Sequence, residues 1–185
     1  MNEDASAGAL EAYGRARDLL DGPLVALCLG DTTSAIAIGA GPRPEQLLTV
    51  ELGVGSIQAR HFHGGVPDGA GVEAAIAAVE DAIMPLLRVI PGAARLVSAD
   101  PRIGAVAGFG GLADHGGSTL GIDAVERLFD RWTARVLGRP ASQDPMPVSG
   151  DVAATLLILR ETLHHLKFHG ITLLPPPGPD GSPHP

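Results

Sequence analysis

Two short polar segments of this sequence carry residues that could bind an anion. The first follows an apolar run and consists of Gly30, Asp31, Thr32, Thr33 and Ser34. A turn of this kind can direct backbone N–H groups and hydroxyl groups at phosphate oxygens. The second segment places Asp100 and Arg102 on either side of Pro101, where they could form a polar pair beside a cleft. A polar hairpin turn and a solvated turn are the plainer interpretations of the two segments, and the sequence leaves them open.

Four histidines form two pairs with the spacing of metal ligands. His61 and His63 would share one face of a strand, while His165 and His169 are four residues apart on a predicted helix. Each pair could supply two ligands to a zinc ion. Nothing in the sequence brings the pairs together, and the helix dipole alone accounts for a histidine at a helix C-terminus. We therefore expect no metal site. The alternative is a zinc site formed by these four histidines.

Other catalytic patterns are missing from the sequence. The serines at positions 34, 56, 98, 118 and 149 lack the Gly-x-Ser-x-Gly context of a nucleophile, and Cys28 lies inside an apolar run where we expect it to be buried. The segment GAVAGFGG at 104–111 does not have the spacing of a dinucleotide-binding loop. Acyl transfer and dinucleotide binding are therefore not expected.

Composition narrows the function classes further. The 185 residues suit one domain; 45% of them are hydrophobic but only 3% are aromatic, so the core must consist of Ala, Val, Leu and Ile. A net charge of -8, with Lys167 as the only lysine, argues against a nucleic-acid partner. The single cysteine suits a reducing cytoplasm, and no run reaches the roughly 18 apolar residues of a membrane span. We expect a cytoplasmic protein without a membrane partner.

The first half of the chain predicts one helix followed by a meander of strands. Ala7–Leu20 places Leu10, Tyr13 and Ala16 near one side of a helix that ends before Pro23. Three strands are then predicted, at Leu24–Leu29, Ser34–Gly39 and Leu47–Phe62. The third would alternate Leu48, Val50 and Leu52 before its glycines and Ile57 and Ala59 after them. These strands should pair in antiparallel fashion.

The second half predicts helices that alternate with strands. The predicted elements are a helix at Asp68–Leu87, a strand at Arg95–Ser98, a glycine-rich region at Ile103–Gly121, a helix at Asp123–Leu137 capped by Asp123, a helix from Ser149 or Asp151 to Lys167, and a strand at Ile171–Leu174. The order indicates an α/β protein with a mixed sheet. We divide it into an N-terminal helix and linker at 1–23, one lobe at 24–174 and a disordered Pro/Gly tail at 175–185.

From about Glu11 to Gly181 the sequence resembles the second lobe of the exopolyphosphatase and guanosine pentaphosphate phosphohydrolase family, a branch of the actin-like ATPase superfamily. That family's Asp-aliphatic-Gly-Gly-Gly-Ser loop corresponds to Cys28–Thr33, and its Leu-Gly motif to Leu52-Gly53. The helix that follows in the family corresponds to Val72–Leu87, and the family's Gly-Thr-Gly-Gly-Thr loop corresponds to Ser98–Arg102. The family's late helix and strand correspond to Val152–Leu174, and its Ser-Asp-Gly-Gly loop corresponds to PPPGPDG. The resemblance implies a single ribonuclease H-like, actin-like lobe with helices packed on a mixed sheet.

The phosphate loops of that family depend on glycines that this sequence lacks. Glycine lets the backbone turn N–H groups inward, whereas the branched Thr32 and Thr33 fit such a loop poorly. Asp31 adds a negative charge, and Cys28 replaces an aspartate that would help to hold a divalent metal, for which a thiol is a poor ligand. The family's water-activating glutamate belongs to a first lobe with no equivalent in this sequence.

Two functions follow from the resemblance. The first is a non-catalytic lobe that needs no cofactor and acts through self-association, most simply as a homodimer, or through another protein. The second is a residual phosphoanhydride hydrolase, or a nucleotide or polyphosphate binder, that uses Mg²⁺ in a cleft between two chains. Its polar groups would be Asp31, Thr33, Asp100 and Arg102. We favour the first because loss at several loops is difficult to reconcile with turnover.

Overall fold

The structure is a computed structural model that describes residues 2–63, 65–112 and 117–175. Its strands are β1 (Leu24–Cys28), β2 (Ser34–Gly39), β3 (Gln46–Val50), β4 (Arg95–Ser98), β5 (Thr119–Gly121) and β6 (Gly170–Leu173). They form one sheet in the order β3-β2-β1-β4-β6-β5. The first three pair in antiparallel fashion, β4 is parallel to both β1 and β6, and β5 is antiparallel to β6. The predicted mixed sheet with an antiparallel meander is thus confirmed.

Helices cover both faces of this sheet. They are α1 (Asn2–Arg17), α2 (Val54–His61), α3 (Gly69–Ile83), α4 (Pro101–Ala107), α5 (Ile122–Val136) and α6 (Gly150–His165), with short helical turns at Met84–Arg88 and Gly108–Leu112. Helices α2 to α6 share the larger core with one face of the sheet, and α1 packs on the other face. No helix in the described part of the chain is long and apolar enough to span a membrane.

The two faces of the central strands differ in side-chain size. Val25 and Leu27 point into the larger core, whereas Ala26 between them faces α1. Helix α1 approaches so closely that a Cβ added at Gly8 would lie 2.6 Å from Cys28 Sγ. Small side chains are favoured there, and four of the five residues in the buried stripe of α1 are alanines, the fifth being Tyr13: Ala5, Ala9, Ala12, Tyr13 and Ala16. The expectation that Leu10 lies on the packed side is wrong, since it is 42% exposed.

The third predicted strand is wrong beyond Val50. Residues 54–61 form α2, which buries Val54 and Ile57 and leaves Ala59 exposed. Gly53 precedes the helix as its N-cap residue, and its N–H donates to Ser56 Oγ at 3.0 Å. Alternation over so few residues does not separate a strand from a short helix, because Val54 and Ile57 also lie on one helical face.

The remaining elements match the expected order with changes at their ends. Asp68 caps α3, and Ser149 caps α6 by accepting from the Val152 N–H at 3.3 Å. Helix α5 is capped by Gly121 rather than Asp123, which lies in its first turn. Helix α6 ends at His165 because Lys167 has a left-handed φ of 61°. The glycine-rich region contains α4 and β5, and the predicted disordered tail lies outside the described residues beyond Pro175.

Candidate functional site

The parallel strands β1, β4 and β6 end at one edge of the sheet, which we call the carboxyl edge. It comprises the loop 29–33, the loop 99–100 and the first turns of α2, α4 and α6. Ligands of open α/β sheets bind outside the carboxyl ends of the strands. Both polar segments singled out from the sequence lie at this edge, and the structure brings them into contact.

Asp100 is the buried centre of that contact. Its Oδ2 accepts from the Leu29 N–H at 2.7 Å, and its Oδ1 accepts from the Arg102 N–H at 2.8 Å. The Asp100 N–H donates to Ser98 Oγ at 3.0 Å, and that hydroxyl donates to Leu27 O at 2.7 Å. Both carboxyl oxygens therefore serve the backbone, one as the cap of α4 and the other as the anchor of the β1 loop.

Arg102 bonds away from Asp100. Its guanidinium donates to Leu29 O at 3.1 Å, and its Nε lies 4.0 Å from Asp151 Oδ1 in the first turn of α6. Both side chains of this ion pair are partly exposed, so it contributes little to stability. Asp100 and Arg102 are thus joined through the Arg102 backbone N–H, and not as the predicted side-chain pair.

The loop after β1 is a hairpin turn that closes onto the start of α2. Gly30 O accepts from the Val54 N–H and Asp31 O accepts from the Ser56 N–H, both at 2.9 Å. A Cβ added at Gly53 would lie only 2.3 Å from Asp31 O. The free N–H groups at a helix N-terminus are what would attract an anion. Here two of them are already bonded to carbonyl oxygens of the loop.

The carboxyl group of Asp31 lies beside the first turn of α2. A Cβ added at Gly55 would be 2.3 Å from Asp31 Oδ1, so the carboxyl group fills the space next to this glycine. A negative charge is favourable at a helix N-terminus. Of the other residues in the predicted segment 30–34, Thr32 is exposed, and Ser34, the first residue of β2, is buried and donates to Leu52 O at 2.5 Å. Asp31 therefore holds the position from which an external anion would approach α2.

The buried carboxylate of the carboxyl edge is not available as a ligand to a magnesium ion. Magnesium requires several oxygen ligands in near-octahedral geometry. Asp100 has both oxygens bonded to backbone N–H groups, and Asp151 lies near Arg102. Cys28 is half-buried rather than buried, and its thiol lies 3.8 Å from Asp100 Oδ2. Among the described residues, no group of three or more His, Cys, Asp or Glu side chains is placed to hold a metal.

The two histidine pairs are not arranged as predicted. His61 is the last residue of α2 and His63 follows that helix, so the two do not share a strand face. His169 comes after α6 has ended, so it is not four residues along one helix from His165. Instead, His165 Nε2 lies 3.2 Å from Glu161 Oε2 and its Nδ1 lies 3.9 Å from Glu80 Oε1.

An ion-pair network that the sequence did not reveal joins α5 to α6. Arg160 binds Glu126 at 3.0 Å and buried Glu161 at 2.6 Å, and its guanidinium lies 4.8 Å from the ring centre of Phe129. His164 also contacts Glu126. Burial raises the pKa of Glu126, but the bonds from His164 and Arg160 outweigh it and the net shift is downward. This network fixes the helix pair.

A second ion pair fixes the connection between α5 and α6. Asp144 is buried and accepts from both Arg131 Nε and Arg131 Nη2 at 2.9 Å, and from the Met146 N–H at 3.1 Å. The bond from Arg131, followed by that from Met146, lowers the pKa of Asp144 to about 2. Because this connection leads into α6, the pair helps to place Asp151 at the carboxyl edge.

Gly53 and Ser56 are the main residues at this edge that sequence reasoning missed. They form a reciprocal cap in which Ser56 Oγ also donates to Gly53 O at 2.8 Å. The available signal was a serine three residues after Gly53 and just ahead of Ile57, the spacing at which an N3 side chain reaches back to the N-cap N–H. Assigning the segment to a strand concealed it.

Comparison with known proteins finds similarity in structure but not in sequence. No protein-family model matches the chain, and no curated protein sequence does. Solved structures do match it. The crystal structure of the type II variant of the Aquifex aeolicus Ppx/GppA phosphatase has a TM-score of 0.74 at 14% identity, over 92% of this chain and 60% of that one. An exopolyphosphatase from Cytophaga hutchinsonii has a TM-score of 0.67 at 15% identity, with the same coverage of each chain.

A further structure of the Aquifex aeolicus PPX-GPPA enzyme has a TM-score of 0.73 at 14% identity, again over 92% of this chain and 60% of that chain. The chain thus spans about three fifths of the solved chains it matches. The chain therefore has the actin-like fold of part of the Ppx/GppA exopolyphosphatases, as the sequence resemblance predicted.

Proposed function

We propose that this chain is a non-catalytic relative of the Ppx/GppA exopolyphosphatases that acts through association with a protein partner, most simply a second copy of itself. The observation that carries the proposal is the closed start of α2, where the N–H groups of Val54 and Ser56 are bonded to Gly30 O and Asp31 O. A cytoplasmic location remains a prediction from the single cysteine.

Binding of a phosphate at α2 would require the loop to open. Release of the two backbone bonds costs about 1 kcal/mol each if nothing replaces them. The Asp31 carboxylate would also repel the phosphate, by about 1 kcal/mol at 4 Å in water and by more where water is excluded. Arg102 offers the opposing positive charge, but it is already engaged by Leu29 O and lies near Asp151. These costs support loss of phosphate binding.

Hydrolysis of a phosphoanhydride would in addition need a group that positions water or a metal. Asp100, the buried carboxylate of this edge, has no oxygen without a backbone N–H donor. This bonding favours a structural role for Asp100. The second candidate is a residual hydrolase, or a nucleotide or polyphosphate binder, whose Mg²⁺ cleft forms between two chains. It predicts the opposite result in the same assay.

The assay is thermal unfolding of the chain with Mg²⁺ and polyphosphate, ATP or guanosine pentaphosphate, alongside phosphate release. A ligand at a hundred times its dissociation constant would stabilise by about 2.7 kcal/mol, which is about 5 to 10 °C for a chain of this size. We expect no shift and no release. We expect the same of Asp31→Asn, because the backbone bonds of the loop remain. A ligand-dependent shift that Arg102→Ala abolishes would contradict the proposal.

Association is measured separately by sedimentation velocity over the micromolar range. The proposal expects a dimer whose fraction rises with concentration. A strictly monomeric chain throughout that range, with no partner recovered, would count against it.

A further inference from the structure

We propose that the last turn of α6 is a proton-dependent clasp, in which the charged forms of His164 and His165 hold α5 and α3 against α6. His164 contacts Glu126 of α5, and His165 lies between Glu161 of its own helix and Glu80 of α3. The clasp is closed when both imidazole rings carry an extra proton and loosens when they lose it. It is independent of the proposed function, because it concerns how the helices of one chain are held together.

The charges of this cluster balance when both histidines are protonated. Three carboxyl groups meet there, and Arg160 is the arginine that pairs with two of them, Glu126 and Glu161. With both rings neutral, three negative charges therefore face one positive charge. Glu161 is only 3% exposed, and a buried carboxylate is costly without cationic partners. Its partners are Arg160 Nη1 at 2.6 Å and His165 Nε2 at 3.2 Å.

Both nitrogens of the His165 ring face a carboxyl oxygen. Its Nε2 lies 3.2 Å from Glu161 Oε2, and its Nδ1 lies 3.9 Å from Glu80 Oε1. A neutral imidazole carries one N–H, so it can donate towards one of these oxygens but presents a lone pair to the other. The charged ring has a proton on each nitrogen and is attracted by both carboxyl groups. The protonated ring is therefore the form that links α3 to α6.

His164 is joined to α5 through a carboxyl group that favours its ionised form. Its Nε2 contacts Glu126 Oε1, which Arg160 also binds at 3.0 Å. Burial raises the pKa of Glu126, but the bonds from His164 and Arg160 outweigh it and the net shift is downward. Both histidines also lie in the last turn of α6, where the helix dipole favours positive charge. Loss of the proton from His164 therefore weakens the link between α5 and α6.

The other elements around α6 bring no further charge to the two histidines. Helices α2 and α4 approach α6 at its opposite end, around Gly150 and Asp151. Lys167 and His169, which follow α6, are exposed and form no ion pair with the residues that the structure describes. The proton dependence thus arises from the three carboxyl groups of the cluster.

Urea unfolding of the full chain at pH 6 and pH 8 tests the clasp, because imidazole loses its charge between these values. The variant His164→Gln/His165→Gln keeps polar side chains that cannot become charged. The stability that the charged rings provide is present at the lower pH and is lost as the pH rises. The unfolding constant of the variant should therefore exceed that of the wild type by about fivefold more at pH 6 than at pH 8.

Two further variants show which residues carry this pH dependence. His63→Gln, at an exposed histidine after α2, is the matched control and should behave as the wild type does at both pH values. Glu80→Gln removes the carboxyl group on α3 and leaves His164 with its own partner. In the Glu80→Gln background, the two histidine substitutions should change the unfolding constant by only about twofold more at pH 6 than at pH 8.

Amide exchange of the wild type gives a readout that needs no variant. After correction for the intrinsic exchange rate, protection of the last turn of α3 should fall between pH 6 and pH 8 relative to protection of β1. This fall, together with a pH-dependent effect of the histidine substitutions that Glu80→Gln reduces, supports the clasp. An effect of equal size at both pH values overturns it, since the histidines would then act by packing alone. Unchanged protection of α3 also overturns it.

Discussion

At the scale of single residues, two glycines at the carboxyl edge lie in close contact with Asp31. Gly53 and Gly55 lie on either side of Val54 at the start of α2, and a Cβ on either would meet Asp31 at 2.3 Å. The atom met differs between them. At Gly53 it is the backbone oxygen of Asp31, and at Gly55 it is the end of the Asp31 side chain. This difference predicts unequal responses to the same substitution.

Gly53→Ala should destabilise the chain by about 1–3 kcal/mol, since the backbone of the loop must shift to accept the methyl group. Gly55→Ala is the matched control. It should remain within about 1 kcal/mol of the wild type, because the Asp31 carboxyl group can rotate away and alanine favours the helix. Urea unfolding of both variants measures the two changes. Equal losses would show that the loop does not press on α2 as described.

Asp144 predicts a specific dependence of stability on pH. Its pKa is lowered from 3.8 to about 2 by Arg131 and the Met146 N–H, so the folded state favours the ionised group. The resulting stability is present above about pH 4 and is lost as the pH falls through 3.8 towards 2. Asp144→Asn should therefore be less stable than the wild type at neutral pH, and this difference should shrink as the pH falls into that range.

Urea unfolding of the wild type and Asp144→Asn at several pH values below neutrality provides the measurement. Because both chains carry the same other carboxyl groups, the difference between them at each pH leaves out the contributions of those groups, including Glu126, whose pKa is also lowered. A difference that stays constant down to the acid limit would contradict the assigned role of Asp144.

The sequence predicted which polar residues meet at the carboxyl edge, but not what they do there. Asp100 and Arg102 were expected to form a pair with each other. Both instead bond the backbone of Leu29, which is more than seventy positions away in sequence. Their roles depend on the parallel pairing of β1 with β4, and residue type and spacing carry no information about that neighbour.

At the scale of elements, strands and helices with a clear apolar pattern were predicted well, and short segments were not. Strands β1, β2 and β4 lie where their apolar runs placed them, and Ser149 caps α6 as expected. Helix α2 was missed because eight residues hold too few apolar positions to separate the two periods. The N-terminal helix was predicted, but its buried face was not. Close packing on the alanines of β1 and β2 favours small residues over Leu10.

The misassigned helix matters most for function. A third strand running to Phe62 would have left the loop after β1 open, with its N–H groups available to an anion. Helix α2 instead supplies the N–H groups that Gly30 O and Asp31 O accept. The loop and this helix therefore form one closed unit, in which the loop's own carbonyl oxygens use two of the N–H groups at the start of α2.

At the scale of the whole molecule, a mixed sheet with helices packed on it followed from the order of elements and from the family resemblance, whereas the sixth strand, β5, was not predicted. The solved structures that share this fold are 14 or 15% identical over the matched region. The exposed edge at β3 could not be predicted, because it depends on which strands finish at the sheet's ends. The closed carboxyl edge likewise rests on how the strands are arranged.

The central claim is that the loop's own oxygens occupy the start of α2, and amide NMR of the full chain tests it most directly. In the free protein, the Val54 and Ser56 N–H groups should exchange with solvent more slowly than exposed amides, because both are bonded to the loop. Millimolar pyrophosphate with Mg²⁺ should leave these two signals, and those of residues 30–34, unmoved. Fast exchange in the free protein, or saturable shifts of these signals with pyrophosphate, would contradict the account.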